Sequence, residues 1–250
     1  MFCLKPLSLC EEFISQLNLS LSQISSKRLS RSQRIWLSIC ITGILLTNTV
    51  CWKRFERATI GKYSSGALSK MFRKCKIDWD KLLTASVFGV LKSYGITQGV
   101  LALDDTDNKR CKKTTKIGMA HKVKDKGTGG YFNGQEILFL VLITNKVTIP
   151  VGYKFYMPQP SMSLWRKENS RLKKLGLPKK ERPSKPAVDD KTYPSKQKVA
   201  LLLLQQFAVD FPGIKIQCVL ADALYGARSF FSRAKDLLGV QIVSQVKRNQ

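Results

Sequence analysis

Two apolar runs in this chain end directly in aspartate. Gly99-Val100-Leu101-Ala102-Leu103 leads into Asp104-Asp105-Thr106, and Ile216-Gln217-Cys218-Val219-Leu220-Ala221 leads into Asp222-Ala223-Leu224-Tyr225-Gly226. Runs of this length and composition read as buried strands. Each acid is then expected at a strand end, held by rigid backbone but facing the rim of the sheet. Successive strand residues point to opposite faces. Only one of Asp104 and Asp105 therefore enters a shared site, unless the strand stops there. A competing reading makes both clusters turns, with Asp105-Thr106 or Asp107 capping one and Asp222 opening the other.

The charge balance bears on this choice. Lys and Arg number 43 against 17 Asp and Glu, a formal net charge of +26. Such self-repulsion implies a polyanionic partner, nucleic acid before an anionic membrane or a ribosome. A hydrophobic content of 44% excludes a disordered polycation, and 250 residues allow one large or two smaller domains. Two carboxylates on neighbouring strands suit Mg²⁺ (or Mn²⁺), which takes oxygen ligands and keeps positions open to phosphate. Acid at the site and base around it point to metal-dependent chemistry on nucleic acid.

Seven scattered cysteines (Cys3, Cys10, Cys40, Cys51, Cys75, Cys111, Cys218) form no CxxC, and His121 is the single histidine, so zinc-ligand spacing is absent. Reduced thiols and a cytoplasmic location are expected. His121, in a Lys-rich segment, reads as an exposed loop residue. No signal-peptide pattern opens the chain, since Glu11 and Glu12 follow the first apolar run. Ile35 to Trp52 has about the length of a membrane span, but Ser38, Thr42, Thr47, Asn48 and Thr49 interrupt it. A buried helix is the preferred reading, with no membrane partner.

Residues 1–95 read as a helical region. It includes a helix over 65–74 and another over 79–94 that Asp78 caps and Gly95 stops. Trp36, Trp52 and Trp79 are expected in its core. From residue 96 strands take over: 100–103, then a long Lys- and Gly-rich loop over 107–135 with a short strand near 117–123. Strands 137–144 and 147–156 follow, the second marked as an edge or bulge by Pro150. A basic insertion over 158–197 reads as a solvated loop or as an arm that orders on nucleic acid, with Trp165 a candidate for stacking on a base. Helix 198–211, strand 215–221, helix 227–238 and strand 240–246 complete the order. The fold class is α/β: a helical N-terminal region, then a mixed sheet with flanking helices.

Leu103-Asp104-Asp105-Thr106 and Ala221-Asp222-Ala223-Leu224-Tyr225-Gly226, with Ala67-Leu68-Ser69-Lys70-Met71-Phe72 and Ile77-Asp78-Trp79 upstream, resemble DDE transposases of the bacterial insertion-sequence type, family four. The segment Val243-Ser244-Gln245-Val246-Lys247-Arg248-Asn249 is similar to the strand before that family's insertion. The resemblance implies an RNase H-like catalytic core over 96–250 and Mg²⁺-dependent cleavage and strand transfer of DNA. It makes Asp104 and Asp222 the catalytic, metal-binding acids, with Asp105 in the variable place and a further candidate ligand. It implies double-stranded DNA partners (element ends and target) and a homodimer in a synaptic complex, in a bacterial cytoplasm and at the nucleoid when bound. Lys109, Arg110, Lys112, Lys113, Lys173, Lys174, Lys179, Lys180, Lys247 and Arg248 are the candidate phosphate contacts. The family's third acid, a glutamate in a Tyr-x-x-Arg-x-x-x-Glu pattern, has no counterpart after Asp222. The expectation is an incomplete core in a truncated, defective transposase, with a non-catalytic DNA-binding antagonist of an intact copy as the alternative.

Overall fold

The helical expectation for the first residues rests on apolar spacing, and that spacing sets the packing of the first of two compact units, Met1–Gly95 and Ile96–Gln250. The computed structural model describes residues 4–110, 117–125 and 127–245. Helix α1 (Ser8–Ile24) buries Cys10, Ile14, Leu17 and Leu21, one face at helical period. Helix α2 (Arg31–Thr47) begins at a capping box. Ser30 Oγ accepts from Gln33 N at 3.2 Å, and Ser30 N donates to Gln33 Oε1 at 2.8 Å. The short α3 (Trp52–Ala58) follows, then α4 (Ser65–Lys74) and α5 (Trp79–Tyr94). Asp78 caps α5 by accepting from Lys81 N, and Gly95 ends it at φ 60.

Ile14, Leu17, Leu21, Trp36, Leu37, Ile39, Phe55, Leu68 and Leu82 form the core of this unit. Trp36 is buried and donates from Nε1 to Leu68 O at 3.1 Å. Trp79, expected inside, is 40% exposed and lies edge-on to Trp36, because its place at the start of α5 puts it at the margin of the cluster. Two of the polar interruptions of α2 face inward. Ser38 and Thr42 are buried, and Thr42 Oγ1 accepts from Leu7 N at 3.0 Å. Among the described residues no single helix is long and apolar enough to cross a membrane. Helices α2 and α3 meet that test only as a pair bent by 87°.

The second unit is built on a six-stranded sheet. Its strands are β1 (Gln98–Lys109), β2 (His121–Lys124), β3 (Tyr131–Ile143), β4 (Thr148–Tyr156), β5 (Lys215–Ala221) and β6 (Gln241–Ser244). Strand β3 pairs antiparallel with β1 on one edge and with β2 and β4 on the other. Strand β5 lies parallel to β1 on its other side, and β6 lies parallel to β5. This mixed order is RNase H-like, as expected. Pro150 falls where the β3–β4 register shifts, as its missing N–H requires.

Leu101, Leu103, Leu138, Leu140, Leu142 and Val219 alternate onto one face and are all buried there. Helix α7 (Lys196–Asp210) packs on β3 and β4 with Val199, Ala200, Leu203, Leu204 and Phe207 buried, and α8 (Arg228–Leu238) packs on α7. The opposite face carries Ala102, Asp104 and the half-exposed Leu220 and Val243.

Three expectations need correction. Strand β1 does not stop at the acids but runs through them to Lys109, because Asp104 to Lys109 pair with Phe139 to Gly134 of β3. The loop expected over 107–135 is accordingly shortened from both ends. The basic insertion is not all loop: it contains α6 (Pro160–Lys174), started by Pro160 at its first position and anchored by buried Met162. Trp165 donates from Nε1 to Pro183 O at 2.8 Å, tying the helix to the chain that follows it.

Helices α2 and α3 meet at Gly43, where an added Cβ would lie 2.5–2.9 Å from three Phe55 ring atoms. Gly43→Ala should destabilise the first unit by about 1–3 kcal/mol through overpacking. Urea unfolding followed by tryptophan fluorescence checks this, since Trp36, Trp52 and Trp79 all report on that unit.

Candidate active site

The β1–β5 register decides which acids meet. Leu103 is paired with Ala221, so Asp104 and Asp222 follow as next neighbours on two parallel strands. Strand β5 stops at Ala221, while β1 continues along β3. The two acids therefore lie at a step in the sheet, within a strand on one side and at a strand end on the other. Both are exposed. Asp104 Oδ1 accepts from Asp105 N at 2.8 Å and Asp222 Oδ1 from Ala223 N at 2.5 Å. Among the described residues no lysine or arginine pairs with either.

The segment after Asp222 is held from several sides. Residues Ala223–Tyr225 form a 3₁₀ turn, and Ser244 Oγ donates to Asp222 O at 2.8 Å. Gly226 packs so closely that an added Cβ would meet Gln245 O at 2.6 Å. Tyr225 is fully buried against Phe230, with ring centroids 5.3 Å apart. Its hydroxyl has no hydrogen-bond partner among the described residues. Burial pushes its pKa up, and the negative potential of Asp105, Asp104, Asp222 and Glu136 pushes it further.

Asp105 has the opposite fate from Asp104. It points to the buried face and pairs with Lys196 Nζ at 2.5 Å. The same ammonium reaches Glu136 Oε1 at 2.5 Å and lies 5.3 Å from the centre of the Tyr156 ring. Glu136 Oε2 in turn lies 2.8 Å from His121 Nε2. His121 Nδ1 lies 3.0 Å from Met119 O. The side chains of His121, Asp105, Glu136 and Lys196 are 9%, 11%, 16% and 17% exposed, so little solvent screens this row of alternating charge.

Burial opposes the charged form of Lys196, but its hydrogen bonds to Asp105 and Glu136 outweigh burial and raise its pKa. Burial likewise opposes charge on Glu136, but His121 and Lys196 outweigh it and hold the carboxyl below its usual range. For His121 burial is again outweighed, by Glu136 and the Met119 carbonyl, and its pKa is raised.

His121 is thus no exposed loop residue but part of strand β2, its ring turned onto Glu136. Glu136 and Lys196 escaped sequence reasoning. The available signal was a carboxylate directly before the apolar run 137–143, which a buried strand tolerates only with a cationic partner. Of the candidate phosphate contacts, Lys109 ends β1, 5.8 Å from the Phe132 ring centre. Arg110 is tied to Gln135 Oε1 at 2.9 Å. Lys173, Lys174, Lys179 and Lys180 are exposed on the arm. Lys112, Lys113, Lys247 and Arg248 lie outside the described residues.

The donor set at the step fits a hard divalent cation. Two carboxylates on rigid neighbours, exposed and without a cationic partner among the described residues, match an ion that binds one or two carboxylates and keeps several waters. No group of three or more His, Cys, Asp or Glu side chains able to hold a metal occurs among the described residues.

A family model for DDE superfamily endonucleases matches residues 25–250. The chain belongs to this family. Comparison with curated proteins gives no match. Members of the DDE endonuclease family generally use divalent metal ions, and membership implies a DNA substrate. An RNase H-like mixed sheet with flanking helices is the fold that carries it here.

Two outcomes are expected in the charge row. Lys196→Met leaves Asp105 and Glu136 without their shared cation and should cost about 3–5 kcal/mol, seen as a lowered thermal midpoint. The His121 contribution is complete below about pH 6.5 and fades as pH rises through its raised folded pKa. That of Glu136 is complete above about pH 4.3 and is lost as pH falls through its lowered folded pKa. The stability difference between wild type and His121→Gln should therefore be largest between these values and shrink toward alkaline pH. Thermal melts across pH measure it; a gap widening with alkalinity would contradict the assignment.

Proposed function

We propose that this DDE endonuclease is a transposase of the insertion-sequence type, cutting DNA at Asp104 and Asp222. The observation that carries the reading is the parallel Leu103–Ala221 pairing, which makes those two acids neighbours at an exposed step. Asp104 and Asp222 would hold Mg²⁺ or Mn²⁺; Asp105, committed to Lys196, is left out of the ligand set. Such an ion, when bound, supplies Lewis-acid polarisation of phosphodiester oxygens.

The protein's own contribution is to bind and orient DNA. The net charge of +26 favours phosphate contact over the whole surface. Exposed Lys173, Lys174, Lys179 and Lys180 give the arm a concentrated share of that charge. The helical unit is assigned to element ends, and a homodimer to the synaptic complex that joins two of them.

A second reading has its own support. No third carboxylate joins Asp104 and Asp222 among the described residues. A chain that binds DNA without cutting it would then compete with an active transposase.

One assay separates the two. The full chain, incubated with supercoiled plasmid and Mn²⁺, should nick it, and chelation should stop the reaction. Asp104→Asn and Asp222→Asn should each lower nicking by more than about 100-fold, beyond the loss from disturbing an outer-shell partner. Both variants should retain salt-sensitive plasmid binding. Binding with no nicking by the wild-type chain would favour the second reading.

A further inference from the structure

Helix α7 begins directly over the two segments that carry the acids. Ser195 caps it by accepting from Lys198 N at 3.3 Å, which fixes the direction of the first turn. The next two residues then reach different strands. Lys196 Nζ holds Asp105, the neighbour of Asp104 on β1, and Glu136 on β3. Gln197 Nε2 donates to Leu224 O at 3.0 Å, inside the turn that follows Asp222. Consecutive side chains of one rigid turn thus tie down both acid-bearing segments.

The helix lies on the buried face, whereas Asp104 projects from the opposite one. The tie therefore acts through backbone. Fixing Asp105 fixes the rotation of β1 at the adjacent residue, because alternate strand positions are rigidly opposed. Fixing Leu224 closes the turn onto α7, while Ser244 secures Asp222 O from the side of β6.

We propose that the first turn of α7 is a positioning brace, in which Lys196 and Gln197 set the spacing of Asp104 and Asp222. This rests on the reading of Asp104 and Asp222 as the metal ligands. Lys196 is committed to Asp105 and Glu136, and Gln197 to the Leu224 carbonyl, so both are positioning residues. The brace spans sequence separations of 91 and 27 residues, so no local feature of the chain could replace it.

The test uses the full chain and Mn²⁺ alone, followed by loss of the free-ion electron paramagnetic resonance signal, with no DNA and no turnover. Wild type should bind Mn²⁺, and Asp104→Asn should abolish binding. Lys196→Gln and Gln197→Ala should weaken affinity by about 10–100-fold, the range for outer-shell partners. Lys196→Arg, which keeps the charge and reaches both carboxylates, should recover most of the lost affinity. A purely structural role would not separate arginine from glutamine in folded proteins with matched circular dichroism.

If Lys196→Gln does not fold, Gln197→Ala, which removes a single neutral hydrogen bond, decides the matter. Folded Gln197→Ala and Lys196→Arg binding Mn²⁺ like wild type, while Asp104→Asn loses it, would overturn the brace and leave the metal site standing. Unchanged Mn²⁺ binding in Asp104→Asn and Asp222→Asn, or none in wild type, would overturn the ligand assignment and the brace with it.

Discussion

The parallel pairing of β1 with β5 is the constraint from which the site follows. A parallel neighbour cannot be reached by a hairpin. The chain must complete β2, β3 and β4, the basic arm and α7 before β5 comes to rest beside β1. What fixes the register is burial on one face: Leu101, Leu103 and Val219 are each at most 3% exposed. Gly99 permits the close approach at the start of β1, where a Cβ would stand 2.8 Å from Ile143 O and Leu142 Cδ1. Once the leucines are in place, the residues after Leu103 and Ala221 are neighbours by geometry alone.

Charge is sorted across that sheet with the same economy. A chain with so large a cationic excess has many lysines to offer each carboxylate, yet none pairs with Asp104 or Asp222 among the described residues. Lys196, its side chain largely shielded from solvent, is committed to Asp105 and Glu136. Separation by strand parity gives one acid of the doublet to solvent and the other to the interior. The interior acid is then compatible with burial because it is paired and hydrogen-bonded.

Much of this was legible in the sequence, for identifiable reasons. The runs ending at Leu103 and Ala221 are continuous and apolar, so pattern alone located β1 and β5 and the acids after them. Asp78 and Gly95 announced α5 through their own capping chemistry. What was not legible depended on distant partners. Thr106 to Lys109 are polar and carry no strand signal, and they are extended because β3 supplies the ladder. Helix α6 hides in a Pro-, Lys- and Ser-rich segment, where composition argues for loop and a single buried methionine argues otherwise. The row from His121 to Asp105 joins four elements, and nothing local to any of them marks it.

The aspartate doublet has one more consequence. Losing one residue upstream of β1 would invert the strand's two faces. Asp105 would then arrive where Asp104 stood, so the rim would still present a carboxylate. The damage would fall instead on the interior, where Thr106 would meet the Lys196 ammonium, Ala102 would take the place of Leu101, and Asp104 would take that of buried Leu103. A strand slipped in this way therefore fails beneath the sheet, where a carboxylate would displace a leucine and Lys196 would lose Asp105, and not at the rim.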